Sequence, residues 1–216
     1  MQIVPYPHPA LAMKSAEIKQ IDASLKKTIS RMFELMYEAN GIGLAANQVG
    51  LPLRFFVINL GGRPEEADEE FVFINPVITK RRGSAVAEEG CLSLPGLYGD
   101  VRRPEAVVIE AFDLNGEPFQ MELDELPARV VQHESDHLDG VMFTDRMREE
   151  GTSAKLDMQI PRFVKVYRAA QQQGVVRPDE EIQIELDKIA SQGTVPASFL
   201  EQSHERIPVP ELEEQP

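Results

Sequence analysis

Leu126-Pro-Ala-Arg-Val130-Val-Gln-His133-Glu-Ser-Asp-His137-Leu-Asp-Gly140 is the stretch on which the reading of this chain turns. Leu126, Val130 and Val131 recur at helical spacing and Gly140 offers a stop, so the segment reads as a helix. Residues four apart share one face of a helix, and His133 and His137 can therefore ligate the same metal ion. Glu134 projects beside them, placed to handle protons without being a ligand. Asp136 is out of phase with the two imidazoles. The bland alternative is a chance spacing of two surface histidines, but the chain has only four. Two histidines leave the coordination incomplete, and no third His or acid follows at the zincin or metzincin spacing. Cys91, the single cysteine, is the better third ligand: a thiolate binds divalent metal strongly, and a glycine-rich turn can carry it to the imidazoles. A buried, inert cysteine is the competing reading.

Working back from the helix, Ala106–Phe112 and Phe119–Leu123 are strand candidates joined by the turn Asp113-Leu-Asn-Gly116. Residues 84–98, around Cys91, read as small residues and turn formers. Arg54–Leu60 and Phe71–Ile78 are rich in aromatic and β-branched residues and predict two more strands. Gly61–Glu70 reads as an exposed acidic turn between them. Gly41–Gly50 is too broken by glycine for a helix and reads as backbone shaped to lie against something. Leu25, Ile29, Met32, Phe33 and Met36 predict a helix starting at Asp22 and stopping at Asn40 and Gly41. Met1–Met13, with three prolines, predicts an extended arm.

The whole chain bounds these readings. Its 216 residues, 42% hydrophobic, suffice for one substantial core, and one globular domain is the default. A net charge of −14 disfavours strong nonspecific nucleic-acid binding. One cysteine excludes an internal disulfide framework. Neither a signal peptide nor a continuous apolar span long enough for a membrane is visible, which suggests a soluble, cytoplasmic protein. From Val166 onward the chain is acid-rich and reads as an appendage, with one short helix at Ile182–Ala190.

Three separated blocks, Gly41-Ile-Gly-Leu-Ala-Ala-Asn-Gln48, Glu89-Gly-Cys-Leu-Ser93 and Gln132-His-Glu-Ser-Asp-His-Leu138, make the sequence resemble the peptide deformylases over roughly residues 1–165. The resemblance implies an α+β fold, with antiparallel sheets packed around a metal-binding helix, and residues 166–216 as a partly flexible acidic extension. It implies a metal held by Cys91, His133 and His137 with water as fourth ligand; ferrous iron is expected in the cell, with zinc, nickel or cobalt as substitutes. It implies Glu134 as general acid/base, with the Gln48 amide and the Leu92 backbone N–H as oxyanion donors.

The implied substrate is an N-formylmethionyl nascent peptide, cleaved to formate and a free amine. Gly43 and Ile42, with Leu126 and Val130 two turns and one turn before His133, are expected to bind it, and Gly41, Gly90 and Gly96 permit close backbone approach. Glu89 and Arg103 match a supporting ion pair that orients the Leu92 N–H. Two positions depart from the usual pattern: Tyr98 stands where many relatives have arginine, and Arg129 where an aliphatic side chain is frequent. The acidic tail, with Glu211, Glu213 and Glu214, argues against the basic ribosome attachment of some relatives and leaves transient ribosome proximity, with no strong nucleic-acid binding and no membrane. The rival readings are a noncatalytic peptide-binding protein with a structural metal, and a metallopeptidase of ordinary peptide bonds.

Overall fold

The computed structural model describes residues 1–149, 154–201 and 206–212. Glu213 and Glu214 of the tail lie outside the described residues. The expected α+β architecture is what the chain adopts.

A five-stranded antiparallel sheet has the order β1-β2-β3-β6-β7, formed by Gly43–Ala45, Phe55–Ile58, Phe71–Arg82, Ala106–Phe112 and Pro118–Asp124. Helix α1, Ala23–Glu38, lies on one face, and helix α2, Glu125–Leu138, on the other. The short strand β2 explains how. Side chains alternate along a strand, so Phe55 and Val57 join Leu25, Ile29, Met32 and Met36 of α1, while Phe56 and Ile58 join Ala128, Val131 and Leu138 of α2. All four β2 residues are buried, which is why this segment reads as a continuous apolar run.

Helix α1 begins where the sequence signals it: the Asp22 carboxylate accepts the Leu25 N–H at 2.8 Å. Helix α2 ends two residues before Gly140, which takes φ +73°; a Cβ there would stand 2.6 Å from the Ala12 carbonyl oxygen. Only glycine closes the helix while letting the N-terminal arm pass so near.

Residues 84–98 are not all turn: Ala85–Gly90 forms strand β4, paired antiparallel with β5, Tyr98–Arg103, as a separate two-stranded sheet. Strand β4 buries only Glu89 among its six residues, so no apolar alternation announces it. Its order comes from the β5 pairing and from α2, whose Arg129 guanidinium donates to the carbonyls of Ala85, at 3.0 Å, and Val101, at 2.9 Å.

After α3, Phe143–Glu149, helices α4, Ala154–Gln172, and α5, Asp179–Gln192, complete the described α-helices. Phe163 and Leu156 of α4 pack in a cluster with Cys91, Leu94 and Leu97; Tyr167 and Ala170 pack with Ile182 and Leu186 of α5. The position taken as the start of the tail therefore falls inside α4. Helix α5 is longer at both ends than the predicted Ile182–Ala190. Among the described residues no helix is long and apolar enough to cross a membrane.

Candidate metal centre and active site

Helix α2 carries the site on the edge of its sheet-facing stripe. Ala128, Val131 and Leu138 hold the helix to the sheet, and the same turns leave His133, Glu134 and His137 facing the loop after β4. All three are buried. Cys91, the first residue of that loop, meets them: its Sγ stands 3.3 Å from His137 Nε2, which is 3.2 Å from His133 Nε2. The three ligand atoms lie within 4.8 Å of one another. Bonds of about 2.0 Å to imidazole nitrogen and about 2.3 Å to thiolate set tetrahedral ligand separations of this size. The arrangement fits one divalent ion.

Glu89 fixes the orientation of the first histidine. Its Oε2 lies 2.9 Å from His133 Nδ1, which turns Nε2 toward Cys91 and His137. The same carboxylate accepts from Arg103 Nε at 2.6 Å and Nη2 at 2.9 Å, and from Arg129 Nη1 at 2.6 Å. Burial alone would raise the Glu89 pKa, but hydrogen bonds from His133 and Arg103, together with their charge, hold it well below the usual carboxylate range. Arg103 also donates to Asp136 at 2.7 Å, and Asp136 accepts from Arg146 at 2.7 Å. Asp136 thus serves the arginines rather than the metal site, as its helical phase requires.

Gln48 enters from the opposite wall. Its Oε1 accepts the Ala45 N–H at 2.8 Å, and this contact aims the amide Nε2 toward Cys91 Sγ, 3.3 Å away, and Ser93 Oγ, 3.4 Å away. The N-terminal arm braces both walls: Val4 N–H donates to the Gln48 carbonyl at 2.8 Å and Tyr6 N–H to the Ser93 carbonyl at 2.9 Å. The Asn47 amide donates to the His137 carbonyl, tying the Gln48 turn to α2.

Glu134 is 4% exposed, and its Oε2 has no hydrogen-bond partner among the described residues. Burial raises its pKa to about 7 against the opposing charges of His133 and Arg103. Gly43 makes room for it: a Cβ there would come 2.5 Å from Glu134 Oε1. A buried carboxyl poised near neutrality suits proton transfer in either direction.

A cleft of about 990 Å³ opens onto these groups. Gln48, Glu89, Cys91, Leu92, His133 and Glu134 line it, and so do Ile42, Gly43, Leu126 and Val130. Val130 is buried, whereas Leu126 is half exposed at the rim. Arg103 and His137 stand behind this surface.

Sequence reasoning missed three contributors. Arg129, which stands where an aliphatic side chain is frequent, caps the Glu89 carboxylate and anchors the β4–β5 hairpin; its place one turn before His133 is the available signal. Asn47 and Ser93 lie inside the quoted blocks, but nothing in their residue type reveals their partners.

Comparison with known proteins gives a consistent result. The family profile described as Polypeptide deformylase matches residues 1–153. A peptide deformylase of Rhodopirellula baltica is 47% identical over 176 residues, which is 82% of this chain and 87% of that protein. The chloroplastic peptide deformylase 1B of Solanum lycopersicum is 47% identical over 151 residues; the match covers 69% of this chain and 54% of the tomato protein. The crystal structure of Arabidopsis thaliana peptide deformylase 1B in complex with an inhibitor superposes with a TM-score of 0.73 at 41% identity, covering 82% of this chain and 97% of that one.

Proposed function

This chain belongs to the polypeptide deformylase family of metal-dependent hydrolases that remove the N-formyl group from nascent peptides, and we propose that it does so through Glu134, Gln48 and the Leu92 backbone N–H. Cys91, His133 and His137 would hold the metal, which when bound supplies Lewis acidity that activates water and polarises a carbonyl. We propose ferrous iron in the cell, with zinc, nickel or cobalt as working substitutes, since one thiolate and two imidazoles accept all four.

The Glu134 carboxylate takes a proton as the oxygen of water adds to the formyl carbon. The Gln48 Nε2 and Leu92 N–H groups donate to the formyl oxygen as negative charge grows on it, so they lower the barrier more than they stabilise the starting amide. The protonated Glu134 then delivers its proton to the departing nitrogen as the carbon–nitrogen bond breaks. One water is consumed; formate and the methionyl amine are released. Gly43, Ile42, Leu126 and Val130 would receive the formyl-methionine, with an apolar side chain lying against the last three. Glu89 and Arg103 are supporting groups: they hold His133 and the loop carrying Leu92.

Residues 1–165 would carry this chemistry, with residues 166–216 as an acidic extension. Nascent chains place the enzyme in the cytoplasm near ribosomes, in transient contact that uses no strong nucleic-acid binding.

The observation that carries the proposal is the buried Glu134 carboxyl, with one oxygen unpartnered among the described residues, lining the same cleft as Gln48 and next in sequence to a histidine of the Cys-His-His cluster. A closed structural metal site has no use for such a group. The test is formate release from formyl-Met-Ala-Ser by protein purified without oxygen, its metal quantified, beside Glu134→Ala. Turnover by the wild type and its loss in a variant that keeps its metal are expected. Folded, metal-loaded wild type that releases no formate would overturn the reading.

A further inference from the structure

The cleft wall is completed by a segment far away in the chain. Arg206-Ile-Pro-Val-Pro-Glu-Leu212 runs beside the N-terminal residues, and Arg206, Ile207 and Val209 line the same cleft as Cys91 and Glu134. Each end of the segment is anchored. At one, the Ile207 N–H donates to Gln2 Oε1 at 3.1 Å, and the Ile207 side chain packs on the cluster of Tyr167 and Val176. At the other, Leu212 packs on the cluster that contains Cys91, Leu94 and Leu97, and it lies 3.5 Å from where a Cβ on Gly96 would stand. Pro208 and Pro210 restrict the backbone between these anchors to extended geometry. What the anchors hold up is Val209, an apolar side chain 41% exposed at the cleft.

We propose that Val209 is a specificity-determining residue, presenting an apolar surface to substrate side chains that follow the formyl-methionine. The inference rests on the deformylase reading of the cleft. Ile42, Leu126 and Val130 already supply an apolar lining beside the Glu134 wall, and the tail's anchors, Gln2 and Gly96, are separate from that set. At about 990 Å³ the cleft stands at the top of the roughly 300–1,000 Å³ typical of ligand pockets, which leaves room for more than one residue. The cleft also stays open with the tail seated. Val209 is therefore a wall of it and not a plug.

Three peptides test this in the full-length, metal-loaded protein: formyl-Met-Ala, formyl-Met-Ala-Leu-Val-amide and formyl-Met-Ala-Ser-Ser-amide. Val209→Asp should raise KM for the apolar tetrapeptide at least about threefold more than for formyl-Met-Ala, with kcat changed by less than about twofold, because only binding of the distal side chain is touched. Leu212→Ala, which loosens an anchor, should move the same ratio in the same direction. Equal changes for all three peptides, no change for any, or a lower KM for the tetrapeptides would overturn the assignment; the last would make the tail an obstruction. Wild-type turnover of formyl-Met-Ala in the same assay separates this test from that of the reaction itself, and absence of formate from every peptide overturns both.

Discussion

The two faces of helix α2 are held by opposite kinds of chemistry. Toward the sheet, Ala128, Val131 and Leu138 pack on Phe56, Phe73 and Ile109, a dry contact with no polar partner to satisfy. Toward the β4–β5 hairpin and α3, Arg129, His133 and Asp136 meet Glu89 and Arg103 of the hairpin and Arg146 of α3 in a network of polar and charged groups that are largely buried. The apolar face places the helix at modest cost to any one substitution of similar volume. The charged face has been taken out of water, and each member is tolerable only while its partners remain. That difference teaches where precision is kept: the sheet side sets the helix in position, and the hairpin side sets the angle of one imidazole.

The sharpest break is chemical. Glu134→Gln keeps the volume of the side chain and removes its proton-accepting charge, so kcat for formate release should fall roughly a thousandfold, equivalent to about 4 kcal/mol of barrier. Bound metal and thermal stability should stay near wild type, since Glu134 belongs to neither face's packing. Metal analysis and a melting curve alongside the kinetics check this.

Glu89→Gln attacks the charged face at its centre. Two guanidinium groups and His133 Nδ1 converge on that carboxylate. Removing its charge should cost roughly 3–4 kcal/mol of stability by leaving buried cations uncompensated, and should weaken metal affinity about ten- to a hundredfold through the misoriented imidazole. Competition with a chelator and denaturant unfolding measure the two effects separately. The contrasting break on the apolar face is Leu138→Ala. This side chain is fully buried, and its truncation should cost about 3 kcal/mol through lost contacts and a cavity. Metal affinity should move far less than in Glu89→Gln, because no ligand loses its orienting partner. Equal losses of affinity in the two variants would dissolve the distinction between the faces.

The same division governs what the sequence discloses. The apolar face of α2 and helix α1 are visible as periodicity, because burial on one face imposes a repeat, and strands β2 and β3 are visible as runs rich in aromatic and β-branched residues. The candidate ligand set is visible because two histidines at helical spacing around a glutamate are a rare combination, and the three blocks carry the family resemblance. Strand β4 is hidden, since it buries a carboxylate where a strand ordinarily shows an apolar residue. The partnership of Glu89 with Arg129 is hidden for a related reason: a charge's partner is fixed in space and leaves no spacing rule between residues 40 apart. The seating of Ile207 and Leu212 is equally nonlocal, made by residues that look like any acidic, proline-bearing tail.

Arg129 gives the finest test of the comparison, because it joins the network without being essential to the Glu89–Arg103 pair. Its guanidinium adds one contact to Glu89 and two to hairpin carbonyls. Arg129→Leu removes all three and leaves Glu89 with both Arg103 contacts and His133, so the carboxylate stays compensated. Stability should drop by only about 1 kcal/mol, the net worth of a few hydrogen bonds partly replaced by apolar packing. The loss should be local: amide exchange along β4 and β5 should quicken while that of β2 stays unchanged, because the hairpin loses its tie to α2 and the sheet does not. Metal affinity should fall by less than tenfold, about the lower edge of the effect expected for a second-layer partner. A loss as large as that of Glu89→Gln would mean that the hairpin anchor, and not the carboxylate, sets the angle of His133.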